Sequence, residues 1–355
     1  MKSDNDREDY RKFFFKCLIL ALAALTGCSP LGQALKEREK RRTVFSFYGL
    51  PGYLARDTIF GFEKKYNIET NYDELLPQDV LYGKIKLGIM NCDLILVSEK
   101  LTGKMIREKL LSPLDRQKIT NLGNLYPFFK KASIDPTRCY SIPWNWSILV
   151  IAYNKNFVKE KIDSWKILWN DKYSRKISMP KDKREALGCT LIMLGASLDC
   201  SDKRKLKEAK KLLKKQRALL YRQEKGSYLE KLAAGKVWLA VGRNRDILKL
   251  QKSHPEIDFV IPKEGSIIRV HYLCIPREAL HPNYAQQFMD YVLNPQISAE
   301  IAADTDSASP SLAAEKYLRA IRKELLRDKR IYPPPEVMKK LKFYKEIDEK
   351  YLEGI

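Results

Sequence analysis

Two carboxylates three positions apart, Asp182 and Glu185, are the residues whose spacing is best suited to chemistry. The pattern predicts a helix over residues 183–194, and residues three apart on a helix surface are neighbours. On that face the pair could act as general acid and base. No other catalytic group assembles around them, because the sequence contains no nucleophile elbow, phosphate-binding loop or zinc-protease motif. The sequence therefore predicts a chain that is not an enzyme and that needs no cofactor.

Histidine and cysteine do not form a recognisable metal or redox site. The chain has three His and seven Cys. No CxxC pair and no His/Cys cluster has the spacing of metal ligands. The cysteines beyond the N-terminal segment are odd in number and widely spaced, which is not a disulfide framework, although an oxidising compartment would allow one bridge. These cysteines are Cys92, Cys139, Cys189, Cys200 and Cys274.

The N-terminal segment contains an apolar run, CLILALAALTGC at residues 17–28. It is too short for a spanning helix, which needs about 20 apolar residues, but it has the length of a signal-peptide core with small residues before a cut. Leu-Thr-Gly-Cys at residues 25–28 resembles the lipobox of bacterial lipoproteins. We therefore expect a signal peptide over residues 1–27 and a lipidated Cys28 that holds the domain on a membrane. The alternatives are a buried helix or a true membrane anchor.

Behind a polar, basic tether at residues 28–42, strands and helices alternate. The order strand, helix, strand, helix, strand through Ser98 predicts an α/β lobe with a largely parallel sheet. A long apolar strand over residues 146–153 would cross to a second lobe. The other predicted strands cover residues 43–48, 68–72, 93–98, 177–180, 237–241, 259–262 and 270–276. The other predicted helices cover residues 54–66, 80–89, 101–110, 203–220, 228–234 and 282–293.

The chain is strongly basic, with 66 Lys and Arg against 44 Asp and Glu and a formal net charge of +22 at pH 7. Removal of residues 1–27 lowers this charge by one. Such a balance often accompanies nucleic acid or an acidic surface as a partner. Export and the absence of an aromatic-and-basic recognition motif argue against nucleic acid. A lysine-rich genome, or attraction to the anionic membrane surface beside the anchor, explains the excess.

Ten short strings follow one another along nearly all of the chain beyond the tether. In this common order and spacing the chain resembles the extracytoplasmic solute-binding proteins of polyamine ABC transporters, the spermidine/putrescine-binding group, in a lipoprotein form. The strings are FSFYGLPGY at 45–53, CDLILVS at 92–98, LDRQKITNLGNLYP at 114–127, YSIPW at 140–144, SWKILW at 164–169, DKRE at 182–185, VIPKEG at 260–265, LCIP at 273–276, SPSLAA at 309–314 and IYP at 331–333.

The resemblance implies two interleaved α/β lobes that close on a ligand in a central cleft, at the carboxyl ends of the strands. It also implies a monomer on the periplasmic side of a bacterial envelope that delivers a small molecule to an ABC permease and ATPase. A non-transporting envelope scaffold lipoprotein is the alternative from another functional class. The expected lobes are residues 43–145 with 271–304, and 146–270 with 305–355, with crossings near 144–153 and 262–271 and a third near Ser307.

The cleft keeps some family positions and changes others. Polyamine binders use aromatic walls and carboxylates, because alkyl diamines need apolar stacking and an anion for each ammonium. Tyr53, Ser98, Asp182 and Glu185 fall on family positions, and the last two match the acidic pair that grips one amine. Family aromatic or acidic residues are replaced at Leu50, Lys100, Arg243, Arg269, His271 and Ser307. The predicted ligand site is Tyr48, Tyr53, Ser98, Lys100, Asp182, Glu185, Arg243, Arg269 and His271.

The replacements leave two interpretations open. A buried Arg near a Lys and a charged His would repel a dication, and Arg forks match carboxylate or phosphate, which favours an anionic or zwitterionic ligand. Alternatively, Arg243, Arg269 and Lys100 pair with Asp182, Glu185 or other acids and hold the lobes together. The predicted function remains the lipid-anchored binding component of a polyamine-type importer, with the changed ligand as the alternative.

Overall fold

A mixed sheet of nine strands organises the part of the chain that the computed structural model describes, residues 43–131, 134–222, 226–343 and 351–353. The strands are β1 (Val44–Tyr48), β2 (Glu69–Asp73), β3 (Leu94–Ser98), β4 (Ser141–Asn154), β5 (Ile177–Ser178), β6 (Leu239–Arg243), β7 (Ile257–Val260), β8 (Ser266–Cys274) and β9 (Leu341–Phe343). Their order in the sheet is β2-β1-β3-β8-β4-β6-β5, with β7 paired to β4 and β9 paired to β8.

Helices connect the strands and cover the sheet. The α-helices of the described residues are α1 (Arg56–Tyr66), α2 (Gln78–Lys86), α3 (Glu99–Arg107), α4 (Lys183–Met193), α5 (Lys203–Gln216), α6 (Tyr228–Ala233), α7 (Asn244–Gln251), α8 (Pro282–Val292), α9 (Pro295–Thr305), α10 (Glu315–Ile321), α11 (Lys323–Arg327) and α12 (Pro335–Met338). None of the described helices is long and apolar enough to cross a membrane.

The first half of the sheet is parallel, as the strand–helix alternation predicts. β1 pairs in parallel with both β2 and β3. Along β1 the side chains alternate between faces, and Phe45 and Phe47 are fully buried. They pack with Phe62 of α1 and Phe288 of α8, with ring centroids 4.9–5.9 Å apart. This aromatic core fixes the ends of β1 and β3, where cleft residues begin.

The second half of the sheet contains β5, β6 and β7. β6 and β7 both pair antiparallel with the later part of β4, and β5 pairs in parallel with β6. Its core includes Trp165 and Tyr173, which are fully buried. Helix α4 is buried along most of its length and packs against this core and α5. The burial of α4 fixes the depth of Glu185 in its first turn.

Strands β4 and β8 are shared by the two halves. The first part of β4 pairs with β8 as far as Ile148, and its later part, from Leu149, pairs with β6. β8 in turn pairs with β3 through its last four residues and with β9 through its first three. The β4–β8 ladder shifts register between Pro143 and Asn145, where β4 forms an irregularity. Two long strands therefore run from one half of the molecule into the other.

The predicted elements agree with the structure in type, and their bounds differ by a few residues. The predicted helix over 203–220 is α-helical only to Gln216 and then tightens into a 3₁₀ turn. Helix α7 and the C-terminal helices α9 to α11 were not predicted. The five described cysteines are free thiols. The predicted signal peptide, Cys28 and the tether lie outside the described residues, so they stay predictions.

Candidate ligand-binding cleft

Most of the predicted ligand-binding residues lie at strand ends or on β8. Tyr48, Ser98 and Arg243 are the last residues of β1, β3 and β6, and Ser98 is directly opposite His271 in the β3–β8 ladder. These positions follow from the topology, because the carboxyl ends of neighbouring parallel strands meet at one edge of a sheet. The other members lie in the loop after β1 (Tyr53), on α3 (Lys100), at the start of α4 (Asp182 and Glu185) and on β8 (Arg269).

Arg269 is buried, at 5% exposure, and lies between two carboxylates. Its Nε is 3.2 Å from Oε1 of Glu185, and its Nη1 is 3.9 Å from Oε2 of Glu99. Both glutamates are buried as well. A buried charge is tolerated when it is paired, so the charge of Arg269 is already compensated inside the protein. This contact corresponds to the interpretation in which the cleft arginines pair with acids.

Glu99 is a member of this group that the sequence reasoning missed. Its Oε2 also accepts the backbone N–H of Val270 at 3.3 Å. Burial raises the pKa of Glu99 to about 8, against the opposing effect of Arg269. The carboxyl therefore keeps its proton to a higher pH than an ordinary glutamate. The sequence feature that could have identified Glu99 is an acidic residue directly after a buried strand.

His271 is buried and faces three arginines. Burial lowers its pKa well below the ordinary value, and the nearby charges of Arg243, Arg269 and Arg245 lower it further. The imidazole is therefore neutral at physiological pH, so the expected charge on this histidine is absent. Its Nδ1 lies 3.0 Å from the amide oxygen of Asn145, which can only accept a hydrogen bond, so Nδ1 carries the proton.

Tyr53 connects the loop after β1 with the other half of the sheet. Its ring meets the His271 ring edge-on at 4.6 Å, and its hydroxyl accepts a hydrogen bond from Nη1 of Arg243 at 3.4 Å. The guanidinium of Arg245 lies over the same ring, 3.8 Å from its centroid. Such cation–π contacts strengthen when the groups are removed from water. An arginine of this protein thus occupies an aromatic face that could otherwise receive a ligand cation.

Arg245 is the second residue that the sequence reasoning missed. It is 4% exposed. Its Nε donates to the backbone oxygen of Thr305 at 2.9 Å, and its Nη2 donates to the backbone oxygen of Gly52. It therefore joins α7 to the first loop and to the end of α9. The sequence feature that could have identified it is an arginine in the first helical turn after a buried strand, two residues beyond Arg243 at the strand end.

The remaining predicted residues are half-buried or exposed. Asp182 is half-buried and acts as the N-cap of α4, accepting the backbone N–H of Arg184 at 2.9 Å. Ser98 is half-buried, and its N–H donates to the side chain of Gln78 at 2.8 Å. Burial raises the pKa of the half-buried Tyr48. Lys100 is exposed, because the helix that begins after Ser98 directs Glu99 inward instead.

A cavity of about 300 Å³ opens beside Glu185. Its charged lining consists of three cations and two acids, and Ser178, Ser227 and Tyr228 also line it. Such a volume suits a small solute, and the mixed charges suit a molecule with groups of both signs. The charged residues are Lys181, Lys231, Arg243, Glu185 and Asp246. Nowhere in the described ranges do three His, Cys, Asp or Glu side chains gather as a metal site would require.

The comparisons with known proteins identify the family of the chain. The model of the bacterial extracellular solute-binding protein family matches residues 91–328. Since this match covers more than half of the chain, the protein belongs to that family. The prediction of a solute-binding component of transport, rather than an enzyme, is confirmed.

Individual relatives resemble the chain over most of its length. A spermidine/putrescine-binding periplasmic protein of Escherichia coli is 28% identical over 319 residues, which is 88% of this chain and 89% of that protein. A putrescine-binding periplasmic protein of Pseudomonas aeruginosa is 28% identical over 352 residues, 94% of each. The crystal structure of a spermidine/putrescine ABC transporter substrate-binding protein from Streptococcus pneumoniae superposes with a TM-score of 0.79 at 28% identity, covering 87% of this chain and 95% of that one. The predicted two-lobed α/β fold is confirmed.

Proposed function

We propose that this chain is the substrate-binding component of an ABC importer of the polyamine type, which captures a small solute between two lobes and delivers it to a permease. One observation carries the proposal: the likeness to the E. coli spermidine/putrescine-binding protein extends over 88% of this chain and 89% of that protein. A likeness of that extent covers most of the chain rather than one part of it. The protein would act as a monomer with the permease and ATPase subunits, on the periplasmic side of the envelope.

The lobes that close on the solute are proposed as residues 43–145 with 271–304, and 146–270 with 305–355. Strands β4 and β8 support these boundaries, because β8 pairs with β3 of the first half, β4 pairs with β6 and β7 of the second half, and the two strands pair with each other. A third crossing near Ser307 is supported by the bridge between Trp146 and Ala308. Arg245 would then join the second lobe to the first loop of the first lobe.

A second class of ligand is favoured by the charges of the cleft. Arg269 already neutralises Glu185 at 3.2 Å, and the adjoining cavity has three cations against two acids. A polyamine has no negative group to meet these cations, whereas a zwitterionic or phosphorylated solute does. The second candidate is therefore the same importer role with a ligand that carries a negative group.

Isothermal titration of the purified protein tests both candidates, with spermidine, putrescine and a panel of zwitterionic and phosphorylated metabolites. Submicromolar spermidine binding that survives Arg269→Ala and Arg243→Ala supports the polyamine ligand. Weak spermidine binding beside tighter binding of a solute with a negative group supports the second candidate. If the folded protein binds no member of the panel, the proposed importer role is contradicted and the scaffold alternative gains.

The finer proposal is that lipid on Cys28 anchors the protein to a membrane. The apolar run at residues 17–28 and its Leu-Thr-Gly-Cys ending support it. Metabolic labelling with a fatty acid should mark the wild type and leave Cys28→Ser unmarked. Equal labelling of the two proteins would show that Cys28 is not the anchor.

A further inference from the structure

A cavity that the cleft does not explain has a volume of about 720 Å³. Three parts of the chain form it: residues 126–128, Trp146 on β4, and residues 315–338 near the C-terminus. None of the nine predicted cleft residues lines it. Because it lies against the shared strand β4, we call it the hinge pocket. Its volume is in the range of ordinary small-molecule sites.

The floor of the hinge pocket is aromatic, and its polar atoms already have partners. Trp146 is 2% exposed, and its indole N–H donates to the backbone oxygen of Ser309 at 3.0 Å. Phe128 and Tyr332 meet the Trp146 ring edge-on, at 5.3 and 6.2 Å between centroids. The Tyr332 hydroxyl accepts the N–H of Ser309 at 2.9 Å. Phe128 and Tyr332 are only half-buried, so the floor presents mainly their rings, backed by Trp146, and these would receive an apolar body, above all a planar one.

The rim of the hinge pocket is cationic. Arg319, Lys323 and Arg327 are exposed and follow one another at intervals of four along α10 and α11. Among the described residues that line the pocket, Glu315 is the only acid, and its carboxylate accepts the hydroxyl of Tyr126. Long cationic side chains lie along apolar surface while their charged ends stay in water. An apolar floor below such a rim is complementary to a molecule with an apolar body and one anionic end.

We propose that the hinge pocket binds a small aromatic organic anion, a carboxylate or a sulfonate. The ring system lies on the floor formed by Trp146, Phe128 and Tyr332. The anionic group lies at the rim, where Arg319 offers a planar fork of donors that matches carboxylate or sulfonate oxygens. This site is separate from the cleft and does not depend on the solute that the cleft takes.

The test uses 8-anilinonaphthalene-1-sulfonate as the probe on the full folded chain, followed by the probe's emission and by isothermal titration. We expect saturable binding of one probe per protein. Arg319→Glu combined with Lys323→Glu should weaken it by about tenfold or more, since charge attraction becomes repulsion. The matched control is Lys207→Glu with Lys211→Glu on α5, which makes the same charge change at exposed residues and should leave the affinity unchanged. Circular dichroism checks the fold of both variants, and Arg319→Gln is a milder version.

Three results would overturn the proposal. The first is probe binding that does not saturate at one equivalent. The second is equal weakening by the rim and control variants, which would mean that only the overall charge acts. The third concerns displacement of the bound probe. It is obtained if the uncharged analogue N-phenyl-1-naphthylamine, or vesicles with anionic phospholipid, displace the probe completely while small aromatic carboxylates do not. Such competition would assign the pocket to neutral compounds or lipid. Each readout is independent of spermidine binding, so failure here leaves the proposed importer role untouched.

Discussion

The cleft and the hinge pocket both contain arginines, but the two regions use them differently. In the cleft, Arg245 and Arg269 are 4–5% exposed, and carboxylates, backbone oxygens and an aromatic ring of the protein surround them. At the hinge pocket, Arg319 and Arg327 are exposed above an aromatic floor. A buried cation must be compensated by the protein itself, whereas an exposed one can meet a ligand. Charge near a cavity therefore indicates a binding role only after the partners of that charge are known.

The largest expected effect is a loss of stability when Arg269, the buried cation paired with Glu185, is replaced. Arg269→Met leaves Glu185 buried beside Glu99 without its counter-charge, and breaking a buried pair in this way costs about 3 kcal/mol of unfolding free energy. Urea unfolding at pH 7, followed by tryptophan fluorescence, measures the loss. The matched control, Arg319→Met at the exposed rim, should change stability by no more than about 0.5 kcal/mol. Equal effects of the two substitutions would break the distinction between the regions.

An intermediate effect is expected at Arg245, which contacts Gly52, Tyr53 and Thr305. Arg245→Ala removes two hydrogen bonds and a cation–π contact, so we expect a loss of about 2 kcal/mol and a more open ligand-free protein. Small-angle X-ray scattering measures the opening as a larger radius of gyration. Arg204→Ala, whose side chain is 95% exposed, is the control and should leave the scattering curve unchanged. An unchanged curve for Arg245→Ala would mean that this residue does not hold the lobes together.

The third effect is a pH dependence that comes from Glu99, and its slope per pH unit is smaller than either of the losses above. Its pKa is about 8 in the folded protein and near 4.5 in the unfolded chain, so the folded state holds the proton more tightly. This contribution to stability is complete below pH 4.5 and is lost as pH rises toward 8, with a slope of at most about 1.4 kcal/mol per pH unit. Glu99→Gln should flatten that slope, whereas Glu324→Gln at an exposed position should not. Parallel curves for wild type and Glu99→Gln would contradict the raised pKa.

The strands and helices could be predicted well from the sequence, because alternating apolar residues and continuous apolar runs indicate directly which positions are buried. Phe45 and Phe47 on β1 and the run into Ser98 on β3 are examples. The cleft was harder to predict. Which of Ser98, Glu99 and Lys100 points inward depends on the phase of α3, and that phase is set by the residue at which the helix starts. Motif alignment selected Lys100 and passed over Glu99.

At the end of β6, motif alignment again selected one residue and passed over a neighbour. Arg243 was selected by its alignment with a family position, while Arg245, two residues further on, makes more contacts with the first loop. The pairing of Arg269 with Glu185 joins residues 84 positions apart, and only the folded chain brings them together. The lowered pKa of His271 likewise depends first on its burial and then on three arginines from two strands and a helix, and no local pattern in the sequence indicates it.

The irregularity in β4 has a mechanical consequence. Where a strand bulges, the ladder is interrupted and the local twist increases, and in the ribbon of β4 and β8 this point lies between Pro143 and Asn145. Trp144 lies at that point, and its indole N–H donates to the backbone oxygen of Tyr53 at 3.0 Å. This hydrogen bond therefore joins the first loop directly to the irregular point of β4, so a displacement of the loop would act on the strand at that point.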